Sequence, residues 1–138
     1  MPMSDRPLRF VHTVLVLDAL VFLTLGVWFL ADPAPALESV GITLSPGSGA
    51  TEARAMYGGY ELGTGAFLLA CRREPGWARA GLALTILVLG GLGLTRLVAG
   101  SLSGGLTPLM WGLFATEFFG VAVNVWALSR APRGVAKN

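Results

Sequence analysis

The sequence predicts an all-α membrane protein: a four-helix transmembrane bundle with a long outer loop between helices one and two. Of the 138 residues, 54% are hydrophobic and 13% are charged, whereas soluble domains usually carry about 25% charged residues. The mean hydropathy is +0.66, and a water-soluble fold of this size would have too few polar side chains to cover its surface. Four apolar runs are each long enough to cross a bilayer. We therefore expect one transmembrane domain over residues 1–138.

The first predicted helix covers residues 10–30. About 21 residues at about 1.5 Å each match the roughly 30 Å hydrocarbon layer. Asp32-Pro33 ends the run, because proline cannot continue a helix. A cleavable signal peptide is the alternative, since Arg6 and Arg9 precede the run and small residues follow it. The run is longer than a typical signal-peptide core and contains Asp18, so we favour a spanning helix.

Three further spanning helices are predicted at residues 51–71, 77–99 and 107–128. Thr51 is a good N-cap for the second helix, which is the most polar of the four. The links after the second and third helices are short, which indicates that helices two, three and four are antiparallel neighbours.

The connection over residues 31–50 is unusually long for a helical bundle. Its prolines and glycines exclude a fifth spanning segment. Its apolar residues predict a short ridge at the membrane surface: Leu37, Val40, Ile42 and Leu44. An interfacial loop is the simpler interpretation, and a lid over the outer mouth is the alternative.

Basic residues fall in three regions that belong to one side of the bundle: before helix one, around the turn between helices two and three, and at the C-terminus. They are Arg6, Arg9, Arg72, Arg73, Arg79, Arg130, Arg133 and Lys137. The other two connections contain no lysine or arginine, so the positive-inside rule predicts cytoplasmic N- and C-termini in a multi-pass inner-membrane protein. Trp28 and Trp111 then mark the outer interface, and Trp77 and Trp126 the inner one.

Five charged residues lie inside the apolar runs: Asp18, Arg54, Glu61, Arg96 and Glu117. Each costs about 2.5 to 3.5 kcal/mol at the bilayer centre, so we expect these side chains to face inward and to pair. Contacts that only fix helix register are the structural interpretation. A ligand or ion site is the functional one, and three carboxylates facing two arginines leave an unbalanced charge that favours a proton or a cation.

Helix two carries two distinct faces. The inward face has helical spacing and comprises Arg54, Tyr57, Gly58, Glu61 and Gly65. The other carries Gly59 and Gly63, the spacing of close helix contacts in lipid. We expect these two glycines to pack against another helix, with a homo-oligomer as one arrangement. Leucine at either position should then be more harmful than leucine at Gly26.

Depths estimated from the predicted helix ends place Asp18 roughly 18 Å, and Glu61 and Glu117 roughly 15 Å, below the outer ends of their helices. All three carboxylates would then share the midplane. Side chains lean towards the N-terminus of their helix, so Arg96 is predicted to pair with Glu117, with Glu61 or with both. Arg54 is predicted to lean towards water and headgroups, where it would meet an anionic group.

No catalytic, metal or cofactor pattern is present. His12 and Cys71 are the only residues of their types, which excludes a zinc site of the usual composition and a disulfide within the chain. The sequence lacks nucleophile-elbow, zinc-protease and phosphate-loop motifs. Despite a net charge of +2, the basic residues form no stripe with exposed aromatics, so we expect no nucleic-acid binding.

The element formed by residues 54–59, Arg-Ala-Met-Tyr-Gly-Gly, resembles one in a family of small bacterial four-helix membrane proteins, a domain of unknown function. Arg96 near the end of helix three and Glu117 in helix four complete the likeness, which covers nearly the whole chain. The resemblance implies a four-helix fold and a membrane location. It brings no established substrate, cofactor or catalytic residue.

Three functions from different classes follow. The first is a binding or auxiliary membrane protein that holds a small polar molecule or a lipid headgroup at its inward polar residues, which are Asp18, Arg54, Tyr57, Glu61, Arg96 and Glu117. The alternative is a protomer of a proton-coupled small-cation transporter, similar to small multidrug-resistance exporters in having four helices and an acid in helix one. An intramembrane enzyme with paired carboxylates is the least favoured of the three.

Overall fold

The computed structural model describes residues 5–74 and 76–132, and these form helices and connections without a β-strand. The helical elements are α1 (Asp5–Ala31), α2 (Ala34–Ser39), α3 (Ser48–Ala53), a π-helical segment (Arg54–Gly59), α4 (Tyr60–Arg73), α5 (Ala78–Leu102) and α6 (Pro108–Arg130). The α3, π-helical and α4 elements follow one another without a gap, so the described chain contains five helical rods. Arg133 and Lys137, two of the basic residues used for the orientation, lie outside the described residues.

Three helices are long and apolar enough to cross a membrane: Pro7–Ala31, Ala78–Leu102 and Pro108–Arg130. They correspond to the first, third and fourth predicted spans, and they suggest a multi-pass membrane protein. The second predicted span, residues 51–71, is helical but is not among the helices that are long and apolar enough to cross a membrane. It contains Glu52, Arg54 and Glu61, and charged residues weaken the hydropathy signal of a spanning helix.

Local chemistry explains where the long helices begin and end. Thr107 caps α6 by accepting a 3.3 Å hydrogen bond from the Met110 backbone nitrogen, and Pro108 follows at the first helical position, where its missing N–H is not needed. After α5, Gly104 and Gly105 have φ angles of 88° and 120°. That left-handed backbone favours glycine, and it turns the chain from α5 into α6.

The described chain divides into two compact units. The first contains Met1–Leu15 and Cys71–Asn138, and within it α5 packs against α6. Its core includes Leu15, Cys71 and Leu82, all fully buried. Gly81 lies so close that an added Cβ would meet Cys71 Cβ and Leu15 Cδ2, each at 2.9 Å. Cys71 thus acts as a small apolar residue in this core.

The second unit, Val16–Ala70, pairs the later part of α1 with the π-helical segment and α4. Three glycines allow the two helices to approach each other closely. An added Cβ would lie 2.9 Å from the Leu62 nitrogen at Gly26, 3.0 Å from the Ala19 oxygen at Gly65, and 3.2 Å from the Leu30 nitrogen at Gly58. Because residue numbers rise along one helix as they fall along the other, the two helices are antiparallel.

The expectation for the glycines of helix two is wrong within this chain. Gly63 has no neighbour within 4 Å of an added Cβ, and Gly59 has only its own Arg54 oxygen, at 4.0 Å. Gly26, which was expected to tolerate leucine best, is tightly packed. In the connection over residues 31–50, the apolar residues of the predicted surface ridge differ in exposure: Leu37 is buried and Ile42 is exposed.

Candidate functional site

Arg96 on α5 and Glu117 on α6 form a two-pronged ion pair. Arg96 donates from Nη2 to Glu117 Oε1 at 2.7 Å and from Nε to Oε2 at 3.3 Å. The side chains are 23% and 10% exposed. This geometry matches the planar guanidinium edge to both carboxylate oxygens, which is the strongest form of such a pair. The predicted pairing of Arg96 with Glu117 is confirmed.

Gly93 makes room for this pair. It lies nearly one helical turn before Arg96, and an added Cβ would sit 3.4 Å from Glu117 Oε2 and 3.6 Å from Phe114 Cδ2. Glycine here lets the carboxylate lie close against α5, within reach of the guanidinium.

A groove of about 370 Å³ opens beside Arg96, at the end of the α5–α6 pair where the two helices are joined. Its lining combines four apolar side chains, three polar ones and two glycines: Leu92, Ala99, Leu106, Met110; Thr95, Arg96, Ser103; Gly100 and Gly105. Arg96 uses two of its five N–H groups on Glu117. The described part of the chain supplies no acceptor for the other three, which are available to a bound molecule.

Arg54 has a structural contact that the sequence did not reveal. It donates from Nε to the Leu30 carbonyl at 2.9 Å and from Nη2 to the Ala31 carbonyl at 3.5 Å. These carbonyls end α1 and have no partner within the helix, so a cation is favourable there. The lean of Arg54 towards water and headgroups stays a prediction, and the structure adds that its side chain caps α1.

The R-A-M-Y-G-G element coincides with the π-helical segment Arg54–Gly59. A π-helix bonds each residue to the fifth one along, which shifts the buried face. Ala53 and Gly58 are accordingly buried, five residues apart, whereas Tyr57 is 42% exposed and stacks on Phe29 with 5.2 Å between ring centroids. Of the residues predicted to face inward, Gly58 and Gly65 are therefore buried, whereas Tyr57 is exposed.

Asp18 and Glu61 both lie in the second unit but at different levels. Gly58 is level with Leu30, so Glu61 lies about 4.5 Å and Asp18 about 18 Å from that level along the helix axes. The prediction that these two carboxylates share the midplane is wrong. It assumed that α1 and helix two end at the same height, whereas helix two extends beyond α1. Oδ2 of Asp18 and Oε2 of Glu61 are buried.

The six candidate residues divide between the units. Asp18, Arg54, Tyr57 and Glu61 belong to Val16–Ala70, and the other two belong to the first unit. The structure shows one buried ion pair among the described residues. A common cluster of all six side chains stays a prediction.

The comparison with protein families assigns the chain. Residues 10–128 match the model of a family described as a domain of unknown function, DUF4345. The chain belongs to this family. The prediction that the chain belongs to a family described as a domain of unknown function is confirmed. Membership of this family assigns no specific role to the chain. No curated protein and no solved structure matches the chain.

Two polar residues of this DUF4345 chain gain significance from the structure. Arg79 donates from Nη1 to the carbonyls of Leu128 and Ala131, at 3.0 and 3.2 Å. Asn124 is fully buried and donates to the Gly120 carbonyl at 3.0 Å. From the sequence, Arg79 was used only as one of the basic residues that define the orientation. Its position two residues after Trp77, at the start of α5, was the available signal for a residue at a membrane interface.

No group of three or more metal-ligating residues occurs in the described ranges.

Proposed function

We propose that this chain is a four-span inner-membrane protein that binds the polar headgroup of a lipid in the groove beside Arg96. The observation that carries the proposal is the groove itself. It places a partly buried guanidinium, fixed by Glu117, next to apolar walls formed by Leu92, Leu106 and Met110. Lipid-like molecules offer matching chemistry, because a polar head is joined to an apolar chain.

The charge of the pair selects the class of headgroup. Glu117 neutralises Arg96, so the groove carries hydrogen-bond donors without a net charge from this pair. Donors of this kind suit ester carbonyls and headgroups of zero net charge better than a free anion. Arg96 lies six residues before the end of α5, about 9 Å along the axis. At that depth the guanidinium meets the ester region of the lipid, and the polar headgroup occupies the part of the same groove nearer the end of α5, beside Ser103 and Gly105.

The four-span arrangement is part of the proposal. α3, the π-helical segment and α4 together run from Ser48 to Arg73, about 39 Å at 1.5 Å per residue, which exceeds the thickness of the hydrocarbon layer. One side of this rod packs on α1 through Gly58, Leu62 and Gly65. With four spans, the basic residues around Arg72 and Arg130 lie on the cytoplasmic side with both termini.

A second candidate function is proton-coupled transport of a small cation. Oε2 of Glu61 is buried and accepts no hydrogen bond from the described residues. A carboxylate oxygen in this state suits a proton or a cation. Uptake by proteoliposomes under a proton gradient, lost in Glu61→Gln or Asp18→Asn, would support transport. Uptake that is equal in the variants and the parent would remove it.

The lipid proposal is tested by blocking the groove without touching the ion pair. In Ala99→Phe, a phenyl ring fills part of the groove, whereas in Ala115→Phe the same ring is added at an exposed position of α6 that does not line it. Lipid retained by each purified protein is measured by mass spectrometry, followed by titration with phosphatidylcholine. We expect Ala99→Phe to lose retained lipid and to bind phosphatidylcholine more weakly. Equal retention in both variants, or a retained polar metabolite without an acyl chain, would contradict the proposal.

A further inference from the structure

A second groove lies at the opposite end of the α5–α6 pair from the link between them. Its volume is about 540 Å³, and it is lined by Arg79, Val125, Leu128, Ser129 and Ala131. Arg79 is in the first turn of α5, and the other four residues belong to the last turns of α6 or follow it directly. The groove therefore opens where two helices reach the edge of the apolar layer.

Arg79 differs from Arg96 in how its guanidinium is used. Its hydrogen bonds within the described residues leave from Nη1, to the backbone carbonyls of Leu128 and Ala131. The Nε and Nη2 groups, which together form the edge that grips a phosphate or a carboxylate in a two-pronged manner, have no acceptor within the described residues. None of the acidic side chains described by the structure forms an ion pair with Arg79. Arg79 therefore has no acidic side-chain partner among the described residues and keeps its preferred binding edge unoccupied by them.

The backbone bonds also hold Arg79 in place. Because Nη1 is anchored to the end of α6, the guanidinium plane is fixed before any ligand arrives. Little conformational entropy remains to be lost on binding, which favours affinity.

The surroundings of Arg79 point to a membrane interface. Trp77 and Trp126 are about half exposed at the same end of the helices, and tryptophan is enriched at headgroup depth. Arg130 stacks on Trp126, with its Cζ 4.7 Å from the ring centroid. Basic pockets between helices at such an interface are the kind that bind anionic lipid headgroups.

We infer that the Arg79 groove binds the phosphate of an anionic phospholipid. The Nε–Nη2 edge of Arg79 grips the phosphate, and the start of an acyl chain lies along Val125 and Leu128. In the proposed orientation this lipid belongs to the cytoplasmic leaflet. The inference does not depend on the lipid at Arg96, because the two grooves share no residue.

The test measures binding of phosphatidylglycerol and phosphatidylcholine with matched acyl chains to the purified, delipidated full chain in neutral detergent. Thermal shift and native mass spectrometry give apparent affinities, and neither requires a known orientation. We expect phosphatidylglycerol to bind more tightly to this groove. Arg79→Gln should weaken its binding about tenfold or more, the value of one charge-assisted contact. Arg72→Gln removes the same charge from an exposed position outside the groove, and it should change the affinity little.

A second variant guards against loss of folding in Arg79→Gln. Val125→Trp fills the groove and leaves Arg79 unchanged, and Val98→Trp adds the same ring to an exposed position elsewhere. Only Val125→Trp should reduce phosphatidylglycerol binding. Inorganic phosphate and glycerol phosphate are added as competitors without acyl chains, and we expect neither to compete at concentrations comparable with the lipid.

Three results would overturn the inference. They are equal affinity for the two lipids in the parent protein, equal losses in Arg79→Gln and Arg72→Gln, and effective competition by inorganic phosphate, which would indicate a soluble anion instead. Ala99→Phe serves as a cross-check. If that variant loses phosphatidylcholine but binds phosphatidylglycerol as the parent does, the two lipids occupy different grooves. The test of the Arg79 groove is then independent of the test of the groove beside Arg96.

Discussion

Gly26 of α1 lies against Leu62 of α4 so closely that a Cβ atom on the glycine would meet the Leu62 backbone nitrogen at 2.9 Å. A backbone atom cannot rotate away as a side chain can, so a larger residue at Gly26 must push the two helices apart. Together with Gly58 against Leu30 and Gly65 against Ala19, this contact fixes the register of α1 on the following helical segment.

We expect Gly26→Leu to destabilise the protein by at least about 1 to 3 kcal/mol, the usual cost of overpacking. Gly63→Leu should cost much less, because nothing lies within 4 Å of an added Cβ there. Thermal unfolding in detergent compares the two variants. Equal midpoints, or a lower midpoint for Gly63→Leu, would show that the glycine contacts of α1 do not hold the helices together.

The same variants test the proposed homo-oligomer. If Gly59 and Gly63 form an interface with a second copy of this chain, Gly63→Leu should shift the protein towards the monomer without lowering the stability of the monomer. Light scattering during size-exclusion chromatography measures the mass of the protein–detergent complex. An unchanged mass in Gly63→Leu would remove this interface.

The Arg96–Glu117 pair should couple strongly. Glu117→Gln leaves Arg96 without its anionic partner, and Arg96→Gln leaves a buried carboxylate, so each should cost about 3 to 5 kcal/mol. The double variant replaces two charges by two neutral amides and should be more stable than the sum of the single losses predicts. A thermodynamic cycle from unfolding midpoints gives the coupling. Strictly additive losses would mean that the ion pair contributes no coupling energy.

Arg54 should act through the end of α1. Arg54→Ala removes the donors to Leu30 and Ala31 and should cost about 1 kcal/mol, because a cation at a helix C-terminus contributes about this much. Amide exchange should accelerate in the last turn of α1 more than in α5. Glu52→Ala, at an exposed position on the same rod, is the matched control. Equally fast exchange in Arg54→Ala and Glu52→Ala would show that the effect comes from a general change in the helical segment Ser48–Arg73 and not from the loss of the Arg54 cap on α1.

The sequence predicted the pairing of α5 with α6 but not the register of α1 on helix two. The pairing of Arg96 with Glu117 followed from helix direction and side-chain tilt, because α5 and α6 are joined by a short link that limits their relative height. The register of α1 did not follow, because residues 31–50 impose no such limit and helix two extends beyond the end of α1. The difference of about 13 Å in level between Asp18 and Glu61 arises from that extension.

The π-helical segment is the other feature that a regular period cannot express. A spacing of 3.6 residues placed Tyr57 with Gly58 on one buried face. The π-helix widens the turn, so Ala53 is followed by Gly58 on the buried face and Tyr57 moves towards the surface. The cap at Arg54 was missed for a related reason, since the carbonyls it binds belong to a helix distant in sequence, whose end was placed only by composition.

The number of membrane spans is open to a direct test, because three and four spans predict opposite locations for two connections. If residues 51–71 cross the membrane, Ser48 and Ser103 lie outside and Glu74 lies inside. If those residues do not cross, Glu74 lies outside with Ser48, and α5 carries Ser103 to the inside. The positive-inside rule favours the first arrangement, because Arg72 and Arg73 precede Glu74 directly, whereas the connection that contains Ser103, residues 103–107, has no lysine or arginine.

Single cysteines at these three positions decide between the arrangements, in a background where the buried Cys71 is replaced by alanine. We expect a membrane-impermeant maleimide to label Ser48→Cys and Ser103→Cys in intact cells, and to label Glu74→Cys only after the cells are permeabilised. All three positions are exposed in the structure, so a lack of labelling in intact cells reports location and not burial, provided that labelling appears after permeabilisation. Labelling of Glu74→Cys together with Ser48→Cys in intact cells, with Ser103→Cys protected, would establish three spans. The termini would then lie on opposite sides of the membrane, and the groove beside Arg96 would face the cytoplasmic leaflet.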